Sequence, residues 1–302
     1  MDIVSFINSR LGPMIGLLMG RLLNRDQAYQ LADWLARIVA TRTNSYTLKA
    51  IRANQAVVRG LLYDSTELDQ AVHDVIRNAA RGYADWYRAV ARGPEALTSS
   101  VVIEKHLEQS VLESVANNRG LVLAGAHMSS FNILLLALGV KGYPIQALSY
   151  ANPRGAYLVD NALRRKFGLD ITPISMQSLR RAVRRLREGG LVMTGIDRPD
   201  DHGENLTFFG HQVQLPVGHA RLAISTGANI LVGIVKSADD GVYRIDCAPV
   251  IEPLSTGDQY RDMIVLAQKV ISVIEDYIRS RPSEWLMFFP VWPNLGTAKV
   301  EN

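Results

Sequence analysis

The chain has 302 residues, 48% of them hydrophobic and 21% charged, enough for one large domain or two small ones with a full core. Its net charge of +4 permits an anionic partner without naming one, and the composition excludes a low-complexity or disordered chain. A single cysteine, Cys247, excludes an internal disulfide and a cysteine-built metal site, and makes a reducing, cytosolic-side location the default.

At the N-terminus, Arg10 and Arg21 bracket ten uncharged residues, LGPMIGLLMG. They are too few to span a bilayer. Arginines flanking Met14, Ile15, Leu17, Leu18 and Met19 fit a segment lying on a membrane surface, or a buried helix with charged ends. Helical spacing continues over Ala28 to Val39, Tyr46 to Leu62 and Leu68 to Val90, the last opened by a Thr66-x-x-Asp69 capping pattern. The expected helical region runs over 1–95. ARGPEALTSS, Ala91 to Ser100, then reads as a turn-rich boundary, with an α/β core expected over 96–302 as one unit.

Leu121 to Val140 contains no Lys, Arg, Asp or Glu. Its length suits a membrane span, but GAHMSSFN would leave four polar side chains at the bilayer centre. A buried strand, Leu121 to Gly125, a polar turn, and a helix, Phe131 to Gly139, fit better, with Ser129 as N-cap and Gly139 as the stop. Further strands are expected at Pro144 to Tyr150, Ile171 to Ile174, Leu191 to Ile196, Ile230 to Val235 and Tyr243 to Val250. Helices are expected at Ala156 to Phe167, Ser178 to Glu188, Gly218 to Thr226 and Tyr260 to Arg279. This alternation predicts an α/β fold, a largely parallel or mixed sheet flanked by helices, with function gathered beyond the strands' carboxyl ends.

His127 directly follows a buried strand, where an imidazole can serve as general base or as a satisfied core group. No GxSxG elbow is present, so Ser129 and Ser130 read as caps or hydrogen-bond donors rather than nucleophiles. Asp197 and Arg198 stand just past another strand. Asp197 could orient a base and Arg198 hold a phosphate, or the two could pair to shape the loop. Pro199, Gly203 and Gly210 mark the loop as irregular. His202, His211 and His219 with Asp200 and Asp201 match no standard metal spacing, and no metal is expected. In SLRRAVRRLREGG, Leu179, Ala182, Val183 and Leu186 form an apolar stripe with five arginines off it. That face is solvated, or it meets anionic headgroups or a carrier protein. Aromatic interleaving is missing, so nucleic acid is not expected.

LAGAHMSSFN, NPRGAYLVDNALRRKFG, LREGGLVMTGIDRPD, FFGHQVQLPVGHARLAISTGANIL and EWLMFFPVWP occur in that order. Together they resemble the lysophospholipid/lipid A biosynthesis (lauroyl/myristoyl) acyltransferase superfamily over nearly the whole chain. The resemblance implies acyl transfer from an acyl-carrier protein or acyl-CoA, as co-substrate without a cofactor, to a hydroxyl of a lipid or lipid A-like glycolipid. It implies a peripheral protein on the cytoplasmic face of the plasma membrane. The family's catalytic histidine is matched by His127. Its acid, five positions on, is replaced by Asn132, a neutral partner for the imidazole. In the serine-protease triad the comparable exchange costs about 10⁴ in kcat. Asp197 is the expected substitute, and Arg164 matches a basic position implied to contact a substrate phosphate. Phe131, Leu134, Phe208 and Phe209 are expected to line an acyl tunnel. The rival reading is a catalytically weak or dead acyltransferase fold that binds lipid or acyl chains.

Overall fold

The computed structural model describes residues 9–42, 44–128, 131–237, 242–293 and 295. Four long helices come first: α1 (Leu11–Leu22), α2 (Arg25–Ala40), α3 (Tyr46–Arg59) and α4 (Thr66–Arg92). The N-cap of α4 is Ser65, without a side-chain cap bond, so the Thr66 capping pattern does not operate. The expected turn at Ala91 to Ser100 is largely a short helix, α5 (Pro94–Ser99), started by Pro94 in its first turn.

A short strand and a helix that periodicity did not reveal come next, β1 (Val101–Ile103) and α6 (Lys105–Ala116). Then come β2 (Leu121–Gly125), α7 (Phe131–Val140), β3 (Ile145–Ser149), α8 (Ala156–Lys166), β4 (Asp170–Pro173), α9 (Met176–Arg187) and β5 (Leu191–Gly195). A hairpin, β6 (Glu204–Phe208) and β7 (His211–Leu215), precedes α10 (Gly218–Thr226), β8 (Asn229–Ser237), β9 (Tyr243–Cys247) and α11 (Gln259–Ser280).

The sheet order is β1-β9-β8-β2-β5-β3-β4. Its pairs are parallel except β8 with β9, so the α/β expectation holds with a mixed sheet. The irregular loop expected after Asp197 contains instead the β6–β7 hairpin. Phe209 at φ 52 and Gly210 at φ 78 form its two-residue turn, the backbone a tight hairpin requires. Gly139 does not stop α7; it lies inside the helix, where a Cβ would stand 2.2 Å from the Phe167 carbonyl oxygen. Its role is close approach of α7 to the end of α8.

One face of the sheet packs on α9, α10 and α11 through residues such as Val122, Val192, Ala182, Ala223 and Val270. The other packs on α7 and α8 through Leu123, Met193, Leu136 and Leu163, and the same core takes in Trp86 and Ala89 of α4. The N-terminal helices thus share a core with the sheet. A buried Asp85 carboxylate on α4 accepts hydrogen bonds from the hydroxyls of Tyr29 on α2 and Tyr243 on β9.

Candidate active site

The site grows out of strand register. In the parallel β2–β5 ladder Leu121 pairs with Leu191 and Gly125 with Gly195, a constant offset of seventy positions. Ile196 N–H donates to the Gly125 carbonyl at 3.2 Å, which extends the ladder one step. Two positions past the last pair, the same offset brings His127 beside Asp197. The His127 backbone N–H donates to Asp197 Oδ2 at 2.9 Å, and the ring Nδ1 lies 2.7 Å from Oδ1. A carboxylate only accepts, so Nδ1 carries a proton, and in the neutral imidazole Nε2 is the free base.

Asp197 is fully buried. Its Oδ2 also accepts from Trp285 Nε1 at 2.8 Å. Burial acts against its charge, but the His127 charge and these hydrogen bonds hold it below the usual carboxylate range. Burial also disfavours charge on His127, yet Asp197 outweighs it and raises the imidazole above its ordinary value. Arg198 and Arg164 oppose that rise more weakly.

The sequence pattern EWLMFFPVWP contains Trp285 but gives it no role. Its position depends on distant contacts. Leu286 N–H donates to the His127 carbonyl at 2.7 Å. Asn54 on α3 donates to the carbonyls of Met287 and Phe289 and accepts from Val291 N–H, fixing the segment. Phe208, Phe209 and Trp292 stack behind Trp285. Phe208 and Phe209 therefore belong to the opposite core and not to an acyl tunnel. Phe131 and Leu134 do line the cavity, and Phe131 meets the His127 ring edge-on at 5.6 Å.

That cavity, of about 290 Å³, lies between α7, α8 and the carboxyl edge of the sheet, and the exposed side of His127 lines it. Arg164 on α8 lines it too, 5% exposed. Its guanidinium donates to Asn132 Oδ1 and to Asn161 Oδ1, both at 2.7 Å. Asn132, standing where the family has its acid, thus serves Arg164. Arg164 forms no ion pair among the described residues. Asp160, one turn earlier, is pushed upward by burial, against the weaker pull of Arg164, Trp86 and Tyr87. Arg198 is separate: its guanidinium carbon stands 3.9 Å from the Phe289 ring centroid and 5.5 Å from that of Tyr150, and it also lines the cavity. Ser129 and Ser130 lie outside the described residues, as does the cap expected of Ser129.

Elsewhere, no cluster of three metal-ligating side chains forms among the described residues. His219 is buried and pushed down to about 4 by that burial. Of the α9 arginines, Arg181 and Arg185 pair with Asp170, while Arg180, Arg184 and Arg187 are exposed.

A histidine–carboxylate pair thus stands at the edge of an α/β sheet, beside a mostly apolar, partly open cavity. The profile of the bacterial lipid A biosynthesis acyltransferases matches residues 11–294, and the chain belongs to that family. No curated protein matches the chain.

Proposed function

We propose that this protein moves a fatty acyl group from a thioester donor, acyl-carrier protein or acyl-CoA, to a hydroxyl of a membrane lipid or glycolipid. The observation that carries the reading is the Nδ1–Oδ1 contact of the Asp197–His127 pair beside the cavity, which leaves Nε2 as the basic nitrogen of the neutral imidazole. Nε2 takes the acceptor hydroxyl proton as the oxygen attacks the thioester carbonyl. The tetrahedral intermediate collapses, the C–S bond breaks, and the leaving thiolate takes the proton back from the imidazolium. Asp197 fixes the tautomer and balances the transient positive charge. A thioester is already activated, so orientation and the base carry most of the rate.

Arg164, charged and without a carboxylate, suits an anionic group of the substrate, and Arg198 a second contact at the cavity. Membrane contact would run through α1, whose Leu11, Met14, Ile15, Leu18 and Leu22 are exposed with Arg21 beside them. No helix among the described residues is long and apolar enough to cross a membrane. A peripheral seat on the cytoplasmic face of the plasma membrane follows from this reading. The binding-protein alternative rested on Asn132, and a carboxylate on His127 argues for the enzyme instead.

The test is incubation of purified protein with labelled acyl-carrier protein or acyl-CoA and a total lipid extract. Wild type should form an acylated lipid, and His127→Ala none. Full activity in His127→Ala would end the mechanism, and no product with any donor would favour the binding protein.

A further inference from the structure

Parallel register aligns Leu231, Leu123, Met193, Ala147 and Ile171 across five strands. All five side chains face the α7 core. Strand alternation returns to that face two residues further on. There stand Gly233, Gly125, Gly195 and Ser149, on β8, β2, β5 and β3 in spatial order. Gly125 pairs with Gly195, and Gly233 lies one step past the Val232–Ala124 pair. Three adjacent strands thus carry no side chain at this step of their α7-facing rows; on β8 the row resumes at Val235.

Local geometry does not demand glycine at two of these positions. None of the three has a left-handed φ. A Cβ at Gly125 would meet open space, and at Gly233 only Leu134 Cδ2, at ordinary contact distance of 3.4 Å. At Gly195 it would crowd His127 Cε1 at 3.1 Å. Glycine weakens a strand interior, so what these residues supply is the empty space itself. All three line the cavity.

The far end of the row points independently to a ligand. Ser149 Oγ, Asn161 Nδ2 and Arg164 Nε are buried without a hydrogen-bond partner, and all three residues line the same cavity. Their exposures are 7%, 1% and 5%. Buried polar atoms are rarely left unpaired, and three together imply a polar group that completes them.

We propose that this row is a ligand bed with a fixed polarity, on which Gly233 sets the acyl-chain length. The chain lies toward β8, its end over Gly233 between Leu134 and Val235. The acceptor's polar group sits at the other end, hydrogen-bonded by Ser149 and Asn161. His127 stands between them, over Gly195. The assignment of the two ends rests on the acyl-transfer reading above.

Binding without turnover tests the bed. Saturated fatty acids from octanoate to stearate are titrated into full-length wild type, Gly233→Ala and Gly233→Leu by calorimetry. The tightest-binding length should shorten from wild type to Ala to Leu. At the wild-type optimum, Gly233→Leu should bind roughly tenfold more weakly, the loss of about two buried methylenes. Gly233→Ala decides the question should the leucine variant fail to fold. Ser149→Ala should leave the length preference alone and raise the acceptor KM a few-fold, one lost hydrogen bond. An unchanged optimum in a folded Gly233 variant overturns the proposal, as does wild type that binds no chain of any length. Chains that bind with a shifting optimum, but no transfer to any lipid, would end the enzymatic reading and leave the bed. Transfer that needs His127 but ignores Gly233 would do the reverse.

Discussion

Two polar pairs flank the cavity, and they differ in charge. His127 meets a buried carboxylate: with the imidazole neutral the pair carries the single negative charge of Asp197, and proton uptake at Nε2 cancels it. Arg164 meets the amide oxygens of Asn132 and Asn161, which satisfy its geometry but not its charge. The first pair is complete without substrate and suited to moving a proton. The second lacks a negative charge, so a substrate anion gains there what a protein carboxylate would otherwise take. On the proposed mechanism, the neutral residue five positions past the histidine belongs to the binding end of the site, while the acid stands past the neighbouring strand.

Changes that break this contrast rank by size. Asp197→Asn should be the most severe, lowering kcat about 10³- to 10⁴-fold in a steady-state transfer assay, because the amide fixes the wrong tautomer. The wild-type rate should rise with pH through a midpoint above the ordinary histidine value, since the free base is the active form and Asp197 raises it. In Asp197→Asn the residual rate should show that limb shifted downward, because burial, Arg198 and Arg164 then act on the imidazole with no carboxylate to oppose them. An unshifted limb would show that Asp197 does not set the His127 charge.

Trp285→Phe removes one donor from a buried carboxylate and should lower kcat roughly tenfold with KM little changed, the scale of one hydrogen bond to a charged group. Asn132→Asp sharpens the comparison from the other side. The new carboxylate should pair with Arg164 and raise thermal stability. It should also raise the KM for an anionic acceptor several-fold without increasing kcat. A kcat gain would mean that position 132 still reaches the histidine. The smallest effect is expected at the membrane. Leu18→Ser should weaken binding to anionic vesicles a few-fold in a flotation assay, leaving transfer to a detergent-dispersed acceptor unchanged.

Much of this was legible in the chain. Runs such as LVLAG and LVMTG, alternating with amphipathic segments, gave the parallel strands and their helices, since burial on both faces leaves few polar residues in a strand. His127 was visible as a polar residue straight after such a run. Less visible were β1, only three residues long, and the hairpin whose strands alternate polar and apolar around a Phe209–Gly210 turn. Phe208 and Phe209 looked like tunnel residues because hydrophobicity does not say which face of a sheet a side chain joins.

The sequence by itself determined the class of fold and the candidate base, because periodicity and a polar break in an apolar run are local facts. Asp197 could be suspected but not placed, the contact of Asn132 with Arg164 could not be foreseen, and Trp285 had no assigned role. Tertiary structure decided these, and the empty row beside them. Each depends on strand register and on the crossing of distant segments: seventy residues separate His127 from Asp197, and two hydrogen-bonded strands fix them as neighbours.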